Sequence, residues 1–94
     1  MSVFKSFNPA DETVIGQYTC STKSQIDTCY FRAVKAYSVW KARPMEERKK
    51  WLKRFKRVLS KSVDQGAVLV ATETGKPLSE SRAEVAGALK KIEL

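Results

Sequence analysis

The amino-acid sequence predicts a mainly α-helical chain with an N-terminal β-hairpin, an α+β arrangement with about four helices. Three observations support this prediction: a turn-rich opening, a long segment with apolar residues at helical spacing, and a glycine–lysine–proline joint between two further helical patterns. The 94 residues allow one domain at most, and no Gly- or Pro-rich linker divides them. We therefore expect one unit over residues 1–94, with a hairpin over 1–20 and helices over 22–94.

The opening twenty residues carry the signals of a hairpin. Residues 3–7 alternate loosely between apolar and polar side chains, and residues 13–20 are rich in β-branched and aromatic types. Between them, Asn8 and Pro9 favour a turn, because proline disfavours helix in the residue before it and presets its own φ. Gly16 weakens the second strand and predicts a bulge. Two strands alone are marginal in water, so the hairpin must pack on another element.

The first helix is predicted from about Lys23 to Trp40. Thr22 and Gln25 have the spacing of a capping box, in which each side chain satisfies a backbone N–H of the first turn. The apolar residues that follow recur at helical spacing, which predicts one apolar face along the whole helix. That face contains Ile26, Cys29, Tyr30, Ala33, Val34, Tyr37 and Trp40.

The second helix is the most basic and most amphipathic segment of the chain. It is predicted from Pro44 to about Lys61, with Glu46 and Glu47 in the first turn, where the helix dipole favours negative charge. One stripe is apolar and the other faces are basic. The stripe consists of Trp51, Leu52, Phe55, Val58 and Leu59, and the basic residues are Arg48, Lys49, Lys50, Lys53, Arg54, Lys56, Arg57 and Lys61.

A third and a fourth helix are predicted to meet at residues 73–77 (ETGKP). The third begins near Ser62, with Gln65 at a second capping-box spacing, and ends at Gly75, because glycine adopts the left-handed C′ conformation without a Cβ clash. Pro77 suits the first turn of the fourth helix, which runs to the end of the chain. Lys76 is expected to point to solvent. The apolar residues are Ala67, Val68, Val70 and Ala71 in the third helix and Leu78, Val85, Leu89 and Ile92 in the fourth.

The composition excludes several kinds of active site. Histidine is absent, so neither a Ser-His nor a Cys-His nucleophile can form. Cys20 and Cys29 fit small packing residues with free thiols in a reducing compartment. Gly75-Lys76 is not the end of a phosphate-binding loop, which needs an earlier glycine and a following Ser or Thr. We therefore expect no catalytic, cofactor-binding or metal-ligating residue in this chain.

The hydropathy of the chain and its first residues indicate where in the cell the protein is expected. Residues 1–5 lack the basic region and apolar stretch of a signal peptide. No apolar run approaches the ~18 residues of a membrane span. We expect a cytoplasmic protein without a membrane partner.

The net charge of +8 allows two interpretations. The basic second helix is either a solvated face or a surface for nucleic acid or an anionic membrane. Aromatic residues that stack on bases are exposed among the charges. Trp51 and Phe55 fall on the apolar stripe instead, which favours the solvated face and makes nucleic acid the less expected partner.

Four groups of residues follow one another at characteristic spacings. They are Phe7-Asn8-Pro9-Ala10 with Val14-Ile15-Gly16; Ile26-Asp27 with Ala33, Ala36 and Trp40; Pro44 with Glu47-Arg48 and Leu52; and Glu73-Thr74-Gly75-Lys76-Pro77-Leu78 with Glu80, Arg82 and Glu84-Val85. In this order they resemble the N-terminal motifs of the aldehyde dehydrogenase family. Asp11-Glu12 departs from the family's usual Thr-Gly at the opening turn. The ending is most similar to semialdehyde dehydrogenases of the succinate or succinylglutamate kind.

The resemblance implies that residues 1–94 are a partial domain, the N-terminal part of the NAD(P)-binding domain of a longer enzyme. The family oxidises aldehydes with a cysteine nucleophile, an asparagine and a backbone amide at the oxyanion, NAD or NADP as hydride acceptor, and a glutamate that activates water. Those residues lie outside the segment that this chain resembles, and Cys20 and Cys29 match no catalytic position. Some relatives bind a monovalent cation with a carboxylate in the last helix, where this chain has the apolar Val85.

Three hypotheses about function follow. The first is an N-terminal fragment of an NAD(P)-dependent aldehyde dehydrogenase, inactive alone, whose parent oxidises a semialdehyde such as succinate semialdehyde. The second is a free-standing basic helical module that binds nucleic acid or anionic surfaces. The third concerns partners: the apolar helix faces are covered by the remainder of the dehydrogenase chain or, without it, by self-association.

Overall fold

A computed structural model describes residues 2–93, and it confirms a mainly helical chain with an N-terminal antiparallel hairpin. The two strands and four helices follow one another without any crossover. We label them β1 (Val3–Phe7), β2 (Val14–Thr19), α1 (Lys23–Ala42), α2 (Met45–Ser60), α3 (Val63–Thr74) and α4 (Leu78–Lys90).

The hairpin contains the bulge that Gly16 predicts. Ser6 pairs with Gly16 and Phe7 with Val14, so that Ile15 is the extra residue on β2. Phe4 and Tyr18 pair across the strands with ring centroids 5.3 Å apart, an aromatic contact that stabilises such a pair.

The loop of the hairpin is closed by hydrogen bonds around Asn8. The backbone N–H of Asn8 donates to the carbonyl of Thr13 at 2.8 Å, and the N–H of Ala10 donates to the Asn8 side chain at 2.9 Å. Glu12 has a φ of 63°, the left-handed region that only glycine adopts without strain. The departure from Thr-Gly at this turn therefore affects the conformation of one residue, at a cost of about 1 kcal/mol.

The helix ends confirm part of the predicted capping. Thr22 and Gln25 form both hydrogen bonds of the capping box, and Gly75 ends α3 with a φ of 76°. The second capping box is wrong, because Ser62 makes no side-chain cap bond. Pro77 lies one position earlier than predicted, as the N-cap of α4, and its carbonyl accepts from the N–H of Ser81. Its ψ of 146° is extended, as is typical of an N-cap residue.

The core of the described residues lies between α3 and α4. Ala67 and Ser81 are fully buried there, and Val85 packs beside Gly66, where a Cβ would make an ordinary van der Waals contact of 3.5 Å with the valine methyl. Asp64 Oδ1 and Arg82 link the same two helices at 3.4 Å. Of the predicted fourth-helix stripe, Val85, Leu89 and Ile92 are half-buried, whereas Leu78 is exposed.

The molecule is flat and open. Its Cα atoms extend over 49 × 37 × 15 Å, and the radius of gyration is 17.5 Å, against about 12 Å for a compact chain of this length. The accessible surface is 7766 Å², whereas a compact chain of 10.6 kDa exposes about 5,500 Å². Packing between elements is extensive only within the hairpin and between α3 and α4, so the described residues form a small core and a large open surface.

Candidate functional site

The corner at residues 73–77 joins the hairpin to the α3–α4 pair. The hydroxyl of Ser6 on β1 donates to Glu73 Oε1 at 3.0 Å, and a Cβ on Gly75 would lie 3.3 Å from Pro9 Cγ. The hairpin therefore packs on another element, as its two-strand size requires. Glycine at position 75 serves two purposes, because it allows both the left-handed φ and the close approach of the hairpin loop.

Lys76 is exposed at the corner, as predicted, but its side chain is paired with a carboxylate. Its ammonium group donates a hydrogen bond to Glu84 of α4. This hydrogen bond, the charge of Glu84 and a smaller contribution from Glu80 raise the pKa of Lys76 above its ordinary value. Because the ammonium group is engaged by a carboxylate, the corner offers no free cation for a phosphate group.

The hairpin loop contains the second ionisable group with a perturbed pKa. The hydroxyl and backbone N–H of Thr13 donate to Asp11 Oδ1 at 2.7 and 3.0 Å. These two bonds lower the pKa of the Asp11 carboxyl, with the side-chain bond as the largest cause. Asp11 thus holds the turn closed and acts as a structural group, not as a general acid.

The predicted apolar face of α1 is solvent-exposed throughout. None of the residues of α1 is buried, and Ile26, Tyr30 and Tyr37 each leave more than half of their surface to solvent. Trp40 is the most covered of the large side chains and forms one wall of an open depression of about 730 Å³. The sequence therefore predicted the helix and its face, whereas no other described element covers that face.

The apolar stripe of α2 is also largely open, so the expected packing of its aromatic residues does not occur among residues 2–93. Trp51 is 46% and Phe55 55% exposed. Lys50, Arg54 and Arg57 border a shallow depression beside the Trp51 ring, and the Arg54 guanidinium lies 5.5 Å from the ring centroid. These three cations form no ion pair within the described part of the chain.

Cys20 and Cys29 are free thiols, as predicted, but their packing differs from the prediction. Cys20 is half-buried after β2, whereas Cys29 is exposed on the open face of α1. Among residues 2–93, no three side chains of the His, Cys, Asp or Glu types lie close enough together to hold a metal ion. Nor does this part of the chain contain a helix that is both long and apolar enough to cross a membrane.

The dinucleotide that the resemblance implies does not fit the residues described here. A dinucleotide phosphate binds where a strand leads through a glycine-rich turn into a helix with free N-terminal amides. The only described strand that precedes a helix is β2, and the connection from it to α1 contains no glycine. The first-turn N–H of Gln25 donates to Thr22 instead.

Two features of this arrangement were not predicted from the sequence. Ser81 is fully buried although serine is a surface type, and its hydroxyl donates to the Pro77 carbonyl at 3.1 Å. The bond between Ser6 and Glu73 joins residues 67 positions apart. No periodic pattern indicates either contact, because each depends on how two distant elements meet.

Comparison with known proteins matches the chain over its whole length. The model of the aldehyde dehydrogenase family matches residues 1–94. An N-succinylglutamate 5-semialdehyde dehydrogenase of Legionella pneumophila (strain Corby) is 35% identical over 92 residues, covering 98% of this chain and 19% of the relative. One from Burkholderia cenocepacia (strain HI2424) is 34% identical over 90 residues, covering 96% and 18%.

A solved structure shares the backbone arrangement. The crystal structure of an NAD-dependent benzaldehyde dehydrogenase from Corynebacterium glutamicum matches with a TM-score of 0.89 and 24% sequence identity. The match covers 97% of this chain and 20% of that one. The chain thus spans about a fifth of the length of the proteins that it matches.

Proposed function

The chain belongs to the aldehyde dehydrogenase family, and we propose that it is the N-terminal segment of an NAD(P)-dependent enzyme that oxidises an aldehyde to a carboxylic acid. The observation that carries the proposal is the match of residues 1–94 to the family combined with the coverage of only about a fifth of each relative. NAD or NADP is the hydride acceptor of this family, and it is bound by parts of the parent outside the segment matched here.

The substrate that we propose for the parent is a semialdehyde. Relatives at 34–35% identity are N-succinylglutamate 5-semialdehyde dehydrogenases, and the neighbour in structure acts on benzaldehyde. The matched segment contains no residue that contacts a substrate in our assignment. The proposal of a semialdehyde therefore rests on sequence similarity within a segment that does not contact the substrate.

We propose that the 94-residue chain is inactive as a dehydrogenase and has a structural role. The chain has no histidine, its cysteines lie at a strand end and on an open helix face, and Lys76 is engaged by Glu84. Its helices and hairpin leave many large apolar side chains exposed, which the rest of an enzyme would cover. The free thiols support a cytoplasmic location.

A chimera tests the proposed function in a single polypeptide. We expect that this chain, replacing the matching segment of the Legionella pneumophila enzyme, gives a folded dehydrogenase that forms NADH from N-succinylglutamate 5-semialdehyde. The purified 94-residue chain should give no enzyme-like NADH formation in the same assay. An insoluble or inactive chimera beside an active parent, or activity of the chain alone, would contradict the proposal.

The basic surface of α2 supports a second candidate function, the binding of nucleic acid. Trp51 is exposed beside Lys50, Arg54 and Arg57, which is the combination of an aromatic platform and free cations that single strands require. Fluorescence titration of Trp51 with an oligonucleotide at two salt concentrations tests it, with Trp40→Phe removing the other indole. Binding that weakens with salt, and that is lost in Arg54→Glu with Arg57→Glu, would support this function; no quenching would exclude it.

A further inference from the structure

One side of α2 carries a row of cations that no carboxylate neutralises among residues 2–93. The four positions are spaced by four, three and four residues, which places them along a single helix face. All four side chains are exposed and form no ion pair in this part of the chain. The acidic residues of α2 lie in its first turn, where Glu46 is paired with Lys49 and Glu47 with Arg43. This basic row consists of Lys50, Arg54, Arg57 and Lys61.

An exposed apolar strip adjoins the basic row. It consists of Trp51, Phe55 and Val58, which lie at the spacing of one helix face and are 46%, 55% and 60% exposed. The Arg54 guanidinium lies 5.5 Å from the centroid of the Trp51 ring, so a cation of the row and the largest side chain of the strip are neighbours. The helix therefore presents free positive charge and apolar surface side by side.

The position of the basic row on α2 keeps it accessible in a longer chain. The opposite side of the helix faces α4, where Leu59 is half-buried and the Lys56 ammonium lies 3.8 Å from a carboxylate oxygen of Glu93. Lysine and arginine side chains are almost never fully buried without a partner. Additional chain that lacks matching carboxylates therefore leaves the basic row in contact with solvent.

The combination of the two surfaces indicates a partner that is both anionic and apolar. A helix with basic residues on its polar face and Trp, Phe or Leu beside them is typical of helices that lie in the interface of a bilayer. A single-stranded nucleic acid would contact the cations and stack on Trp51, but it would leave Val58 unused, because an aliphatic side chain is not a stacking platform. An anionic lipid surface accommodates both the basic row and the whole apolar strip.

We propose that α2 binds the surface of an anionic membrane. The apolar strip enters the headgroup region, and the basic row pairs with lipid phosphate and carboxylate groups. The helix lies in the plane of the surface, which agrees with the finding that no helix of residues 2–93 is suited to cross a bilayer. This inference goes beyond the proposed function and does not rest on it. It replaces the expectation of no membrane partner, because a search for long apolar runs detects spans and not surface helices.

Vesicles of phosphatidylcholine, with and without phosphatidylserine, test the proposal. The 94-residue chain with Trp40→Phe contains Trp51 as its only indole. We expect it to bind the vesicles that contain phosphatidylserine, more weakly as the salt concentration rises, with a blue shift of the Trp51 emission as the indole leaves water. Absence of binding, equal binding to both kinds of vesicle, or binding without a blue shift would overturn the proposal.

Charge reversal tests the role of the basic row. Arg54→Glu with Arg57→Glu should lower the partition coefficient into phosphatidylserine vesicles at least about 30-fold. Arg32→Glu with Lys35→Glu is the matched control, because it changes the net charge equally at two exposed positions of α1. The control should lower the partition coefficient far less. Equal losses would show that net charge, and not the basic row, is responsible, and would overturn the proposal.

Substitution of one aromatic residue tests the insertion of the apolar strip. Phe55→Ser should weaken vesicle binding about tenfold, because less apolar surface leaves water on binding. Phe31→Ser removes the same side chain at a position of α1 that is 68% exposed, and it should leave binding nearly unchanged. If the two variants lost binding equally, exposed aromatic residues of any helix would account for it, and α2 would not be the membrane surface.

Two further outcomes would assign this surface of α2 to another partner. Binding of a single-stranded oligonucleotide without binding to phosphatidylserine vesicles would favour nucleic acid and overturn the proposal. A chimera that forms NADH but does not bind these vesicles would show that the rest of a subunit covers α2, and would overturn it as well. An inactive chimera would contradict the proposed function alone, because the vesicle measurements on the 94-residue chain do not depend on it.

Discussion

The pair α3–α4 and the helix α1 are both helical segments with predicted apolar faces, but only the pair is packed within this chain. Between α3 and α4, Ala67 and Ser81 are inaccessible to solvent, and Val85 packs beside Gly66. In α1, no residue is buried over 20 positions. The contrast shows that an apolar face reveals which side of a helix is covered, and says nothing about whether the covering chain is present.

The same contrast explains why the chain looks like a part of something larger. The corner at Gly75 and Pro77 brings α3 and α4 together, and these two helices pack on each other. A short connection is not sufficient for packing, because α1 is joined to α2 through Arg43 and Pro44 alone and the two helices make no extensive contact. The aldehyde dehydrogenase relatives, about five times longer, have additional chain.

The largest effect is expected from enlarging the small side chain at the centre of the packed region. Ala67→Leu adds three carbons where no space is left, and overpacking should cost about 2 kcal/mol in the free energy of unfolding. Val68→Leu, at the exposed neighbouring position, is the control and should stay within about 0.5 kcal/mol. Urea unfolding followed by circular dichroism measures both, and equal effects would mean that α3 and α4 are not packed in solution.

A second prediction concerns the corner that produces the packing. Gly75→Ala places a Cβ in the left-handed region and 3.3 Å from Pro9, and should cost about 1–2 kcal/mol. Gly87→Ala, where nothing lies within 4 Å and the backbone is helical, should instead stabilise by about 0.5–1 kcal/mol. If both substitutions changed the free energy of unfolding in the same direction, Gly75 would not be the residue that ends α3.

A third prediction, for the hairpin loop, is a gain in stability. Glu12→Gly relieves a positive φ and should stabilise the hairpin by up to about 1 kcal/mol, whereas Glu12→Ala retains the strain and should bring no gain. The thermal midpoint of the two variants checks this. A gain from alanine equal to that from glycine would show that the side-chain charge, and not the φ, is responsible.

The smallest effect is expected at Lys76, which is exposed. Since its pKa is raised by Glu84, the stabilisation from this pair is present below the ordinary lysine pKa of 10.5 and is lost as the pH rises through the folded value. An NMR titration of the Lys76 side chain should show a midpoint above 10.5 that moves back towards it in Glu84→Gln. A midpoint that is the same in both proteins would contradict the pairing.

Local signals predicted much of the fold and little of its packing. The capping box at Thr22 and the terminator at Gly75 lie within a few residues of the backbone groups that they satisfy, so the sequence alone identifies them. Ser62 and Gln65 have the spacing of a capping box, but the Ser62 side chain makes no cap bond, so the spacing alone does not identify a cap. The burial of Ser81 and the bond from Ser6 to Glu73 depend on how separate elements meet, which no periodicity encodes.

The sequence predicted which residues form the two candidate surfaces, but it did not predict that these residues are exposed. The face of α1 and the stripe of α2 were both identified. Packing on neighbours was expected for the stripe of α2, and the third hypothesis left apolar helix faces to be covered by the remainder of a longer chain or by self-association. Both surfaces are open because the described elements pack extensively only within the hairpin and between α3 and α4. Which chain covers an apolar face is not encoded in the spacing of that face.

Hydrogen exchange of α1, in the free chain and in the chimera with the Legionella pneumophila enzyme, tests the central claim most directly. We predict that α1 amides in the free chain exchange much faster than those of α3 and α4, and that they become as protected as α3 and α4 in the chimera. Protection of α1 in a monomeric free chain that equals the protection of α3 and α4 would contradict the claim that α1 needs the rest of an aldehyde dehydrogenase to cover it.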